Sequence, residues 1–191
     1  MDFEFDKLKI DDEIFEGDME EDAKLLLEEL CKIKFHRTNN RKTLTKDGKK
    51  PMSMVYGYTK WKMNNGYMRN PSKKFPGWYE TKLLTHYPAF KYYLKQFSIL
   101  YMGDFEWNQV VINKNFEITR HIDGNNVGES YIIGLGDYTG GELVVENNKN
   151  EKIIIDIKNY PYRFNGSEKY HYVLPFEGDR YTLVFYNNKM N

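Results

Sequence analysis

From residue 100 onward the chain becomes a series of short β-branched or aromatic runs, WNQVVINKNF, ESYIIGLG, GELVVE, KIIIDI and YTLVFY, set apart by Gly, Asn or Asp. Runs this short are strands rather than helices, and no segment between them is patterned as the crossover helix that parallel βαβ units require. The spacing therefore predicts an antiparallel sandwich or jelly roll.

The first hundred residues follow a different pattern. MEEDAKLLLEELCKIKF, residues 19–35, reads as a helix capped by Asp18, with Glu21 three residues later and a stripe through Leu26, Leu27, Leu30 and Ile33 edged by Lys34. It is expected to pack on a sheet. Residues 36–79 are loop-rich yet aromatic, with Gly, Pro and Asn-Asn-Gly marking turns between short strand-like pieces. Residues 81–97, TKLLTHYPAFKYYLKQF, read as one or two short helices broken before Pro88. The expected fold class is α+β: a jelly-roll core over 101–191, with residues 1–100 supplying an acidic N-terminus, helices packed on the major sheet and a basic aromatic loop region of the same domain. With 191 residues, 40% of them hydrophobic, the chain can fill one sizeable core.

A mean hydropathy of −0.75 and the absence of an apolar run near 18 residues argue against a membrane span. The acidic start MDFEFDKLKIDDE lacks the marks of a signal peptide, and a single cysteine, Cys31, fits a reducing compartment. The expectation is an intracellular chain, cytoplasmic or nuclear, not secreted and with no membrane partner. The zero net charge hides a polarity. Eleven Asp/Glu stand in residues 1–22, against twelve Lys/Arg and only Asp47 and Glu80 in residues 36–82. No Gly-rich phosphate loop, C-x-x-C pair or Ser nucleophile elbow is present.

His121-Ile122-Asp123 is by itself a tripeptide that composition yields easily. On a strand, however, residues two apart point the same way, so both side chains can face a sandwich interior. His171 is the best third partner. If Glu177-Gly178 is a two-residue hairpin turn, Pro175 pairs with Arg180, and His171, Val173, Pro175, Arg180 and Thr182 share one face. Taken singly, each of these residues is more simply an ordinary strand or surface side chain; their joint order and parity favour a site. Two imidazoles and a carboxylate form the facial set of non-haem Fe(II) oxygenases, and a guanidinium on the same face suits a carboxylate ligand.

His121-x-Asp123, His171 and Arg180-x-Thr182 together resemble the H-x-D…H…R-x-[S/T] signature of the Fe(II)/2-oxoglutarate-dependent dioxygenases, whose fold is a double-stranded β-helix. GDYTGGEL is similar to the Gly-Gly-Glu turn found in many of them. The resemblance implies iron ligands at His121, Asp123 and His171, with Arg180 and Thr182 on the distal carboxylate of 2-oxoglutarate and Asn113 and Tyr131 near its proximal end. It also implies dioxygen as co-substrate, decarboxylation to succinate, and ascorbate as a stimulant. Asn126, with Gly128 and Ser130 after it, resembles the segment following H-x-D in the TET/JBP group, which oxidises a base methyl; this implies a substrate contact at Asn126. The basic aromatic segment is similar in chain order to the nucleotide-recognition lid of AlkB-like demethylases. DNA or RNA is the favoured substrate, with Lys60, Lys62, Lys73 and Lys74 on phosphates and Tyr56, Tyr58, Trp61, Tyr67, Trp78 and Tyr79 available to stack on bases. A protein or peptide side-chain hydroxylase of prolyl type is the alternative, and a non-catalytic jelly-roll binding module the third class.

Overall fold

The computed structural model describes residues 15, 17–39, 41–60, 63–64, 67–68, 70–71, 76–81, 83, 86–147 and 151–189. Lys62, Lys73, Lys74 and Trp61 lie outside them. Helix α1, Met19–Cys31, starts where Asp18 accepts from the backbone N–H of Glu20 and Glu21 at 3.0 and 3.1 Å. It stops short of the expected Phe35. The N–H groups of Lys32 and Ile33 turn back to carbonyls only three residues behind, which tightens and closes the last turn, while Ile33 stays buried outside the helix. Helix α2, Pro88–Met102, begins at a proline whose missing N–H would be unpaired there anyway. It outruns the expected end at Phe97 because Phe90, Leu94, Phe97 and Met102 continue one buried stripe as far as Gly103. Among the described residues no helix is long and apolar enough to cross a membrane.

Strand β1 is Met52–Thr59, followed by the two-residue strands β2 Met63–Asn64, β3 Tyr67–Met68, β4 Asn70–Pro71 and β5 Tyr79–Glu80. The others are β6 Gln109–Lys114, β7 Asn126–Leu135, β8 Tyr138–Gly140, β9 Leu143–Glu146, β10 Lys152–Ile155, β11 Tyr162–Phe164, β12 His171–Val173, β13 Phe176–Gly178 and β14 Tyr181–Asn188. The major sheet runs β11-β7-β14-β6-β1-β5-β4 and the minor sheet β10-β9-β12. Single bridges from His171 to His121 and from Ile118 to Thr45 extend the minor sheet sideways. From β6 onward the chain passes back and forth between the two sheets, which makes the fold an antiparallel jelly roll, as expected.

Alternation along the strands divides the interior in two. Val110, Ile112, Ile133, Leu135, Leu183 and Phe185 face the helices and form one core with Leu26, Leu30, Leu94 and Phe97. The opposite phase, in which Val184 registers with both Val111 and Ile132, faces the minor sheet. A pocket opens on that side.

Three expectations are corrected. Strand β1 pairs with β6 from Met52 to Gly57, so the major sheet begins well before residue 101. Tyr56, Tyr58 and Trp78 are buried in the helix-side core rather than offered to a ligand. The hairpin at Glu177-Gly178 does not form: β13 pairs with β8, placing Phe176 opposite Gly140 and Gly178 opposite Tyr138. Those N–H and C=O groups find their partners on β8, and β14 then crosses to the major sheet. His171 and Arg180 thus approach the interior from opposite sheets, not along one strand pair.

Candidate metal centre

His121 and His171 face each other across an antiparallel bridge, each backbone N–H bonded to the other's carbonyl at 3.0 Å, and their rings lie 4.2 Å apart. In both rings Nδ1 meets a carbonyl two residues earlier, Thr119 at 2.8 Å and Lys169 at 2.9 Å. A carbonyl only accepts, so Nδ1 carries the proton and Nε2 presents its lone pair. Asp123 N–H donates to Gly166 O at 2.9 Å, which turns its carboxylate toward both rings. Oδ1 lies 3.4 Å from His121 Nε2 and Oδ2 3.6 Å from His171 Nε2. Donors held about 2.1 Å from one ion stand roughly 3.0–3.5 Å apart at angles from 90° to the tetrahedral value. The nitrogen and oxygen donor set, with all three ligand atoms within 4.8 Å of one another, fits a divalent transition metal. His36 and His86 are exposed and lie outside this group.

The surroundings hold the ligands still. Burial opposes ionisation of Asp123, but whenever the two imidazoles also carry protons on Nε2 their hydrogen bonds and charge outweigh it and keep the carboxyl well below the usual range, the place a metal ion takes when it replaces those protons. Asn126 donates to Asp123 Oδ2 and to Ser130 Oγ, each at 3.4 Å, so it orients a ligand as well as lining the pocket. Phe164 packs edge-on to the His171 ring. Gly166 packs closely against the ligands: a Cβ there would lie 3.2 Å from Asp123 Oδ2 and 3.3 Å from His171 Cε1, so both would have to give by a few tenths of an ångström. Gly166 was not singled out in the sequence, where it stands in an ordinary Asn-Gly-Ser turn.

A second polar group is buried around the start of β14. Arg180 and Thr182 are each only 2% exposed. Arg180 Nη2 donates to Gly141 O at 2.9 Å, and its guanidinium lies 5.3 Å from the ring centres of Tyr138 and Phe176. Burial pulls its pKa down. Gly141, at φ +74, explains the Gly-Gly turn, since a Cβ would come within 2.7 Å of Arg180 Nε. Asn113 donates to Thr182 Oγ1 at 3.1 Å and accepts from Ser53 Oγ at 2.7 Å, fully inside. Two buried donors have no hydrogen-bond partner here, Arg180 Nε and Tyr138 Oη. Orphaned buried donors beside a buried cation mark a place for an anion. Tyr138 was not among the sequence candidates, because nothing in its neighbourhood separates it from a turn aromatic.

Tyr131 is a correction. It registers opposite Phe185 and packs edge-on to Phe105 at 4.9 Å, on the helix side of the major sheet, so it is turned away from the pocket. The period of two that brings Ile132 inward sends its neighbour outward.

No family model and no curated protein matches the sequence. Solved structures do. An oxidoreductase of the 2OG-Fe(II) oxygenase family from Burkholderia pseudomallei superposes with a TM-score of 0.53 at 14% identity, covering 92% of this chain and 96% of that one. NgTET1, solved in complex with 5mC DNA, gives a TM-score of 0.50 at 17% identity over 90% of this chain and 68% of its own. The fold is that of the 2-oxoglutarate and Fe(II) oxygenases. Within this fold the His121, Asp123, His171 cluster lines a pocket. Val111, Ile118, Ile132, Leu143 and Val184 form the apolar wall of its pocket.

Proposed function

We propose that the protein is an Fe(II)- and 2-oxoglutarate-dependent oxygenase that oxidises a C–H bond, with a base of DNA or RNA as its substrate. The observation that carries this reading is the convergence of two Nε2 lone pairs and the Asp123 carboxylate, with both imidazoles fixed in the ligand tautomer by their Nδ1–H bonds. Bound iron supplies the activation of dioxygen, coupled to decarboxylation of 2-oxoglutarate to succinate. The chain's own groups do the rest. Arg180 and Tyr138, two buried donors with capacity to spare, hold the distal carboxylate, and Thr182, braced by Asn113, adds a hydroxyl. Asn126 keeps Asp123 aimed, and the apolar wall excludes water from the reacting carbon.

Support for nucleic acid comes from the basic segment before the core, where Arg37, Lys42 and Lys50 are exposed, and from NgTET1, whose structure was solved with DNA. Burial of Tyr56, Tyr58 and Trp78 favours the second reading, a peptide side-chain hydroxylase, because it withdraws three aromatics from base stacking.

The test supplies the protein with Fe(II), 2-oxoglutarate and ascorbate, which keeps the iron ferrous. Modified and unmodified DNA and RNA are offered in parallel with cell-derived peptides. Succinate and oxygen added to a base are expected, with binding that falls steeply as salt rises. Oxygen found only on a peptide side chain, with a flat salt response, would replace nucleic acid by the hydroxylase reading. A protein that binds neither metal nor 2-oxoglutarate is a jelly-roll binding module instead.

A further inference from the structure

Arg41 lines the same pocket as His121, Asp123 and His171, yet it comes from the N-terminal half of the chain. Its segment is anchored firmly beside the metal cluster. Leu44 packs with Phe116, Ile118 and Val173, and its carbonyl accepts from Thr119 N and Oγ1 at 2.9 and 3.1 Å, two residues before His121. Thr45 Oγ1 closes the short 3-10 turn Lys42–Leu44 onto Lys42 O.

Two features of Arg41 need an explanation. Its backbone is left-handed, φ 65 and ψ 12, a conformation unfavourable for arginine and natural for asparagine. Among the described residues, moreover, its guanidinium has no hydrogen-bond or ion-pair partner. No hydrogen bond or ion pair among the described residues accounts for a cation displayed in a pocket by an unfavourable backbone, and strained positions of this kind gather at ligand sites. The group whose titration registers its charge is the phenol of Tyr186, which burial pushes up to about 12 while Arg41 pulls the other way.

The anion that Arg41 awaits is not the far end of the co-substrate. Arg180 precedes β14 and Tyr186 lies within it, six residues or roughly 20 Å of extended chain further on, more than a five-carbon diacid spans. Arg41 lines the pocket together with Tyr186 and Asn126, and Arg180 is not among the residues that line it. We propose that Arg41 is an oxyanion contact within the pocket, and that the oxyanion is a phosphate next to the base being oxidised. The inference rests on the oxygenase reading above and assigns the wall formed by residues 41–45 to substrate recognition.

The test compares wild type with Arg41→Asn and Arg41→Lys, all loaded with Mn(II). Asparagine suits the left-handed backbone, so an unchanged or raised melting midpoint shows that the fold survives. Calorimetry measures binding of 2-oxoglutarate and, separately, of a five-nucleotide single-stranded oligothymidylate and the same oligomer with one neutral methylphosphonate linkage at each position in turn. In wild type, neutralising one particular linkage should weaken binding at least about fivefold, roughly the loss of one charge-assisted contact. Arg41→Asn should bind the native oligomer that much more weakly and no longer sense the linkage; Arg41→Lys should recover part of the affinity. Affinity for 2-oxoglutarate should stay within about twofold of wild type.

If Arg41→Asn instead weakens 2-oxoglutarate and leaves the oligomer unchanged, the oxyanion is the near carboxylate of the co-substrate and the phosphate assignment is overturned. Equal oligomer binding by wild type and Arg41→Asn, or no binding by either, overturns it as well. A wild type that binds the oligomer through this linkage but never binds 2-oxoglutarate would sink the oxygenase reading while leaving the Arg41 contact standing.

Discussion

At the scale of single residues, the buried pair Arg180 and Tyr138 separates ligand binding from folding. Arg180→Met should weaken 2-oxoglutarate by about 30-fold or more, equivalent to ~2 kcal/mol for one partner of a buried charged pair, while metal affinity holds. Thr182→Val should do the same more mildly. Tyr138→Phe is the sharper case. Its hydroxyl has no partner in the free protein, so removing it should leave the unliganded melting midpoint unchanged or higher, yet weaken 2-oxoglutarate. Calorimetric titration of each variant with and without Mn(II) checks this. A Tyr138→Phe protein that melts earlier and binds 2-oxoglutarate normally would show that the phenol serves packing alone.

At the scale of elements, the turn between β8 and β9 and the start of α1 make a useful contrast. Asp18 caps α1 on the far side of the major sheet, where Leu26 and Leu30 pack under β7 and β14, well away from the pocket. Asp18→Ala should therefore cost about 1 kcal/mol of stability and leave metal and 2-oxoglutarate affinity unchanged. Gly141→Ala places a Cβ against Arg180 Nε in a left-handed backbone and should lower both stability, by roughly 1–3 kcal/mol, and co-substrate affinity. Urea unfolding of the two variants, set beside their 2-oxoglutarate titrations, reads the difference. Equal losses of affinity in both would mean that the helix layer controls the site, which this architecture does not predict.

At the scale of the whole molecule, buried tyrosines set an upper pH limit. Burial raises Tyr56 far above its ordinary value and Tyr186 to about 12, against about 10 in an unfolded chain. A group whose folded pKa is raised contributes stability that is complete below its unfolded pKa and disappears as pH passes the folded one. The melting midpoint should therefore be level up to about pH 10 and fall between there and about pH 12, with the tyrosinate absorbance of the buried phenols, which adds to that of exposed tyrosines such as Tyr160 and Tyr170, appearing together with unfolding. A midpoint that stays flat to pH 12, or the full tyrosinate absorbance reached in the folded protein, would show that these phenols are not sealed off.

The division between what was legible and what was not follows from the range of the interactions. Strand alternation, the Asp18 cap and the Pro88 helix start are local, carried by neighbours within a few residues, and the sequence by itself determined them. It also determined the jelly-roll class and the grouping of His121, Asp123 and His171, because residue order around a repeated strand pattern limits which side chains can meet. The route by which they meet was another matter. Whether Glu177-Gly178 made its own hairpin or paired with Tyr138–Gly140 depended on a free strand edge nearly forty residues away. Tyr131 and Ile132 carry the same strand signal, and only the register of β7 against β14 chose which faced the metal. Gly166, Tyr138 and Arg41 are ordinary turn or loop residues until the sheets close, since space beside a carboxylate, an orphaned phenol and an unpaired guanidinium are properties of the enclosure, which only the tertiary structure decided.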